Sequence, residues 1–489
     1  MTTIRSLSLL ALLTATGAAV GCSSDTTGSD ELDDTEWIAA NSFEVNTRFK
    51  GTLTHAATGL YAELATDEVL QTEVIATHIS YAKNDMKHAA YQVNLMPDEI
   101  LSVNVSVEGE LVTIAYEASV DMVRKAVYGV DVTTVADLPK THFEVTIPAD
   151  PVDVFARAGD SCASDYGSYT LTEYKYYYYF DADNPGCEVP MVTGTIDVVS
   201  VYPNPTVYPE YDRLLNDLGD GLKGFRAAIL PNYGDDDPMG RFNIHRDALA
   251  ELDIEPEVTT EYYRYTWTKE GATIVIDLFD PTEGYFANTF YEALSNYQFV
   301  FYNGHSNYGH QPFLSNLDAY SDDYQIITMH SCQSYAYYTS QVAAGKATAD
   351  DPTGWVNADM AATGRSSYPS DSPDVMMVLL EGLMAGLTVV ANNQNELAPS
   401  WQAIAKRMAD VAPSILYGMA GVRNNSWQPT PATPTEGCTH PICETGGALD
   451  PTCDPCVSQI GQADSYCTES FWDALCVEQV ETVCGQTCG

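Results

Sequence analysis

Hydrophobic and polar residues follow two rhythms along the chain. Across residues 42–202 they alternate in short runs, as in LSVNVSVEGELVTIAYEASV and HFEVTIPADPVDVF, and a two-residue period is that of strands with one buried face. This span is expected to hold one or two β-rich modules. Within it, residues 174–180 (YKYYYYF) are expected to form a strand with rings on both faces, in a hairpin stapled by Cys162 and Cys187. The rings read first as sheet packing and second as an aromatic ligand platform.

From residue 203 the pattern changes. FRAAIL (225–230), QFVFY (298–302) and YQIITM (324–329) are short apolar runs that read as buried strands. Further strands are expected at 355–360 and 415–422. Helices are expected at 245–252, 287–297, from about Tyr335, at 374–385 and at 399–411. Strands alternating with helices predict an α/β domain over 203–427, a mainly parallel sheet flanked by helices. Residues 428–437 (QPTPATPTEG) form a Pro- and Thr-rich linker, and 438–489 form a small cysteine-rich module.

The N-terminus changes the picture of where the protein works. MTTIRSLSLLALLTATGAAVGC carries one Arg, an apolar run too short to span a bilayer, and small residues ending at a cysteine, the layout of an export signal over 1–21. The run Ala19-Val20-Gly21-Cys22 resembles the bacterial lipobox. That resemblance implies acylation of Cys22 and an exported, membrane-anchored lipoprotein at the outer membrane, the cell surface or facing the periplasm. Ordinary signal-peptidase cleavage is the alternative. Residues 22–41 read as a disordered acidic tether. No apolar run of roughly 18 residues follows Cys22, so no other membrane span is expected.

Sixty-eight acidic against 22 basic side chains give a net charge of −46, which excludes nucleic acid as a partner of the body. The charge reads as a solvated surface, ahead of attraction for basic substrates or calcium binding. Asp235, Asp236 and Asp237, and Asp181, Asp183 and Asn184, offer clustered oxygens for calcium, but neither fits the twelve-residue calcium loop. No cofactor is required and no metal centre is expected.

Eight of the twelve cysteines, Cys438, Cys443, Cys453, Cys456, Cys467, Cys476, Cys484 and Cys488, lie beyond residue 437. Up to four disulfides are expected there, with connectivity open. Zinc at the Cys453–Cys456 spacing is the competing reading. Cys162 with Cys187 makes a fifth pair, and Cys332 is left as the odd thiol. In its CDPCV and WDALCV elements the tail resembles cysteine-rich C-terminal modules of extracellular myxobacterial proteins.

The candidate chemistry lies in QFVFYNGHSNYGHQPFLSNLDAYSDDYQIITMHSCQSY, where two apolar strands are followed by His305 and Cys332. Ligands bind at the carboxyl ends of parallel strands in such sheets, so the imidazole and thiol are expected side by side. A thiolate attacks a carbonyl carbon, and an imidazole delivers the proton to the departing amine near neutral pH. The N–H groups at Cys332 and beside Gly304 are candidates to hold the oxyanion. His310 is the alternative base and His330 a further competitor. Metal ligation by these histidines and Cys332 is disfavoured, since no HxH or helical HxxxH pair occurs.

Gly304-His305 and Cys332-Gln333-Ser334 resemble the histidine and nucleophile turns of the caspase, legumain, clostripain, gingipain and separase group. The resemblance extends over residues 225–422. It implies a caspase-like fold and a cysteine-type endopeptidase (a thiol protease, hence a hydrolase) acting on a peptide or protein substrate. Ser306 and Ser331 stand where the group commonly has glycine and a small residue such as alanine. The alternative is a surface-anchored binding protein on a catalytically inactive caspase-like fold. In Arg-specific clostripain-like members an aspartate lies just before the cysteine, a place held here by His330. Asp359 and the loop 365–371 are candidates to reach the specificity pocket.

Overall fold

The computed structural model of the 489-residue chain describes residues 38–58, 63–89, 91–93, 99–126, 132–164, 170–202, 206–232, 237–282, 286–393, 398–429, 438–486 and 488. The expected signal peptide, Cys22, most of the tether, Asp235, Asp236 and residues 430–437 of the linker lie outside the described residues.

The alternating region builds an antiparallel sheet of six strands, β1 (Ser42–Ala56), β2 (Tyr91–Val93), β3 (Glu99–Glu108), β4 (Leu111–Lys125), β5 (His142–Pro148) and β6 (Met191–Val201). Their order is β2-β4-β1-β6-β5, with β3 also on β4. Val112, Ile114, Tyr116, Ala118, Val120 and Met122 of β4 are all buried, so every second residue faces the core as the period requires. Helices α1 (Glu68–Ser80) and α2 (Lys83–His88), unassigned from sequence, also belong to this region. The Asp67 carboxylate accepts from the N–H groups of Val69 and Leu70, both at 3.0 Å, and so caps α1. Leu70, Val74, Ile75 and Ile79 form its buried stripe.

Residues 174–180 correct the expected strand. After α3 (Val154–Ala158), Glu173–Tyr179 is a helix, α4. On a strand Tyr176, Tyr178 and Phe180 would share one face, whereas on a helix Tyr176 and Phe180 align and Tyr178 turns away. Tyr176 and Phe180 pack on Tyr81, with ring centroids 6.4 and 4.8 Å away, and Tyr176 meets Phe155 at 5.3 Å. Burial of these rings in the core overrides the β-propensity of tyrosine. The Cys162–Cys187 disulfide closes the segment around α4.

The second sheet has nine strands. In chain order with their helices they are α5 (Tyr211–Leu214), β7 (Asn216–Gly219), β8 (Leu222–Pro231), α6 (Pro238–Ala250), β9 (Glu257–Val258), β10 (Tyr262–Lys269), β11 (Ala272–Phe279), α7 (Phe286–Asn296), β12 (Phe299–Asn303), β13 (Gln325–His330), α8 (Ser334–Lys346), β14 (Ala358–Thr363), α9 (Ser372–Ala391), α10 (Trp401–Val411) and β15 (Tyr417–Ala420). The order is β15-β14-β13-β12-β8-β11-β10-β9, with β7 on β8. Strands β11, β8, β12, β13 and β14 form a parallel centre. The margins are antiparallel, so the sheet is mixed rather than mainly parallel. The β10–β11 hairpin had no assignment from sequence, and β14 begins three residues later than the strand expected at 355–360.

One face of this sheet carries α5, α6, α9 and α10, the other α7 and α8. Pro369–Ala391 is long and apolar enough to cross a membrane by length and composition, but most of it is buried within the fold. Val375, Leu379, Leu383 and Leu387 of α9 belong to the core beneath the sheet.

The expected boundaries are crossed by contacts. Ile38 exchanges two hydrogen bonds of 2.8 Å with Met419 and extends the β15 edge, so the tether expected through residue 41 ends before Ile38. The reason is that Ile38 is an apolar side chain buried in the α/β core. Val123 of β4 enters the core of the α8 face, and Tyr335 of α8 donates to the buried Glu44 carboxylate of β1.

The tail has its own core around Leu449, Val457, Ile460, Trp472 and Val480. Its disulfides are Cys438–Cys453, Cys443–Cys488, Cys456–Cys484 and Cys467–Cys476. Cys453 and Cys456 go to different partners, which overturns the zinc reading. The module is seated on the body: Gln459 donates to the Tyr208 hydroxyl at 2.8 Å and Thr206 to the Val483 carbonyl at 3.0 Å. Five disulfides point to maturation in an oxidising compartment.

Candidate active site

The parallel centre has the order 2-1-3-4-5, counting β8, β11, β12, β13 and β14 along the chain. Its topological switch point, where crossovers leave to opposite faces, lies between β8 and β12 at their carboxyl ends. His305 follows β12 by two residues and Cys332 follows β13 by two residues. These strands pair in register from Phe299 with Ile326 to Asn303 with His330. His305 and Cys332 each stand two residues beyond the last of these pairs. The two turns therefore leave neighbouring strands at the same level of the sheet.

The histidine turn is held from below. Asn303 is fully buried: its amide donates to Ser372 Oγ at 2.8 Å, and its carbonyl oxygen accepts from Arg241 of α6 at 3.2 Å. Ser372 in turn lies 3.2 Å from His245 Nε2. The Tyr302 hydroxyl accepts from Asn232 at 2.7 Å and donates to the His305 carbonyl at 2.8 Å. Gln311 donates to the same carbonyl at 2.7 Å. With its backbone fixed by two donors, His305 presents its exposed side chain from a braced turn. A Cβ on Gly304 would stand 2.6 Å from Asn232 Cβ, which is why glycine occupies the position.

The cysteine turn is anchored to β14. Thr363 Oγ1 donates to the Ser331 carbonyl, the Thr363 N–H reaches Ser334 Oγ at 2.8 Å, and the Gln333 N–H reaches the Arg365 carbonyl at 2.8 Å. Gln333 adopts φ +54°, a left-handed conformation that turns the chain sharply from β13 into α8. Cys332 is half-buried, with Sγ 3.9 Å from the Ser367 carbonyl, and is the free cysteine of the described residues. Its N–H has no protein acceptor among the described residues. The Gly304 N–H, by contrast, is directed at the His330 carbonyl at 3.4 Å, as an extension of the ladder. Of the two expected oxyanion donors, Cys332 keeps its hydrogen open and Gly304 does not.

The other candidates separate. His330 is buried, with Nε2 2.8 Å from the Tyr368 carbonyl and Nδ1 bonded to the Tyr417 hydroxyl. Burial pushes its pKa down to about 3, so it is a neutral structural residue at ordinary pH. His310 has an exposed side chain, and partial desolvation by its neighbours lowers its pKa. Asp359 pairs with Ile326 at the start of the parallel strands, the edge of the sheet away from Cys332. It looked closer from sequence because the strand was expected three residues early. The loop 365–371 does approach, through Ser367 beside Cys332 and Tyr368 beside His330.

Asp181 Oδ1 accepts from the Asp183 N–H at 3.0 Å, an Asx turn rather than a gathered cation cage. Among the described residues no group of three or more His, Cys, Asp or Glu gathers as a metal site. Sequence reasoning missed Asn303, Ser372 and Tyr417, which carry no local motif, and it singled out the tyrosines of α4 without placing them beside these two turns.

Residues 436–488 match a family described as a domain of unknown function (DUF8252). No curated protein and no solved structure matches the chain.

Proposed function

We propose that this protein is an exported cysteine-type endopeptidase of caspase-like kind, with Cys332 as nucleophile and His305 as its proton-transfer partner, tethered by a lipid on Cys22. The observation that carries the reading is the in-register pairing of β12 with β13, whose next turns bear the imidazole and the free thiol. A thiol kept out of five disulfides in an oxidised chain supports it, as does the commitment of both His330 nitrogens elsewhere.

In the proposed reaction the Cys332 thiolate attacks the scissile carbonyl carbon, and the carbonyl electron pair moves to oxygen. The Cys332 N–H donates to that oxyanion. Collapse of the adduct breaks the C–N bond while protonated His305 passes its proton to the departing amine. Water, deprotonated by His305, then hydrolyses the thioester and releases the carboxylate and the thiol. The test is a peptide-library digest by the mature protein, its Cys332→Ala variant and its His305→Ala variant. Loss of cleavage by several orders of magnitude in each variant is expected. Cleavage that survives Cys332→Ala puts the chemistry elsewhere.

A further inference from the structure

The N-terminal sheet region reaches the candidate active site through α4. The Tyr178 hydroxyl accepts from Gln333 Nε2 at 3.0 Å, and the Tyr179 hydroxyl pairs with the Tyr308 hydroxyl at 2.9 Å. Gln333 is the residue after Cys332, and Tyr308 lies three after His305. Both contacted residues are in the left-handed region, each at φ +54°, and Asn307 beside Tyr308 is at +47°. Side-chain-bearing residues persist there only where surrounding contacts over-determine them. The two bonds from α4 therefore land on the strained residue of each turn.

Further contacts tie the same corner together. The Tyr178 and Tyr308 rings meet edge to face at 5.7 Å, and Tyr308 meets Tyr337 of α8 at 6.5 Å. The Lys87 ammonium lies 4.3 Å over the Tyr178 ring, and the Lys83 ammonium 3.7 Å over Tyr337. α4 is itself immobilised from behind by Tyr176, Phe180 and the Cys162–Cys187 disulfide.

We propose that Tyr178 and Tyr179 are positioning residues, which hold the nucleophile turn and the histidine turn in one relative placement through Gln333 and Tyr308. The N-terminal region is then a working part of the catalytic centre, not a detachable prosegment. The Ile38–Met419 pairing and the Tyr335–Glu44 bond agree, since both weave that region into the α/β sheet. This inference rests on the Cys332–His305 reading.

The experiment uses the full mature chain with Tyr178→Phe, Tyr179→Phe and both together. It measures kcat and KM on a peptide from the library digest, and the pH dependence of iodoacetamide alkylation at Cys332. The double variant is expected to lose about ten- to thirtyfold in kcat, the size that two ordinary hydrogen bonds give, with KM within about twofold. Its thermal unfolding should match the wild type, and the alkylation profile should move along the pH axis. In a Gln333→Leu background Tyr178→Phe should have no further effect on kcat. Gln333→Glu, whose carboxylate accepts from the Tyr178 hydroxyl, should recover activity relative to Gln333→Leu. Unchanged kcat and alkylation in the double variant, with an active wild type, overturns this inference alone. A rise in kcat also overturns it, because the helix is then a cover. A wild type that neither cleaves peptide nor alkylates faster than an ordinary thiol overturns both readings together.

Discussion

Replacing Asp359 by asparagine should change how stability depends on pH, and the structure sets the size. The carboxylate is fully buried, and Oδ2 accepts from the Tyr324 hydroxyl at 2.6 Å, the Trp401 indole at 2.7 Å and the Asn425 amide at 2.8 Å. Burial outweighs these three bonds, with a smaller push from Glu210, and carries the carboxyl from 3.8 up to about 7. Between about pH 4 and 7 the folded protein therefore keeps a proton that the unfolded chain has released. Its contribution to stability is complete below pH 4 and is lost as pH rises through 7. At about 1.4 kcal/mol per pKa unit, up to about 4 kcal/mol is at stake across that window.

Asparagine at 359 is neutral throughout and can accept the same three donors. Its amide would replace Oδ1, which has no partner in the wild type, and that costs about 1–3 kcal/mol at every pH. A constant offset leaves the slope untouched. Urea unfolding followed by tryptophan fluorescence, at pH 5 and pH 8, should show the wild type losing about 3 kcal/mol more than Asp359→Asn between the two conditions, the part of the window that lies above pH 5. Trp401 and Trp427 lie in the core that Asp359 supports. Equal losses in the two proteins would refute the argument that burial dominates this carboxyl.

Gly304→Ala places a methyl 2.6 Å from Asn232 Cβ at the switch point, so it should cost about 1–3 kcal/mol and lower both the thermal midpoint and any cleavage. An unchanged midpoint in calorimetry would mean that the β8 and β12 ends are looser than described. Cys443→Ser with Cys488→Ser opens a loop of sequence separation 45, which on chain-entropy grounds removes about 4 kcal/mol from the tail. Limited proteolysis with mass analysis should then show the tail trimmed while the two sheets stay whole, and a tail as resistant as the wild type would count against the stapling argument.

Much of the candidate site was legible along the chain. The strands bearing FRAAIL, QFVFY and YQIITM were evident because a strand buried on both faces must be apolar along its whole length. The odd thiol followed from cysteine parity, and His305 stood out by its place just after β12. The β10–β11 hairpin was not legible, although TIVIDLF is as apolar as the other centre strands. Nothing local says that β11 lies beside β8, five positions of the sheet order away from β15.

What the sequence by itself determined was local: which residues must be buried, which period they follow, and which cysteine is left over. Only the tertiary structure decided the rest. It made YKYYYYF a helix because Tyr176 and Phe180 had a core to enter, and it withdrew His330 from the chemistry by burying it between Tyr368 and Tyr417. It also set Tyr178 and Tyr179 against residues more than a hundred positions away. Such pairings depend on how strands are ordered and how the two sheets meet. That is settled by the burial of whole faces rather than by the preferences of any one segment.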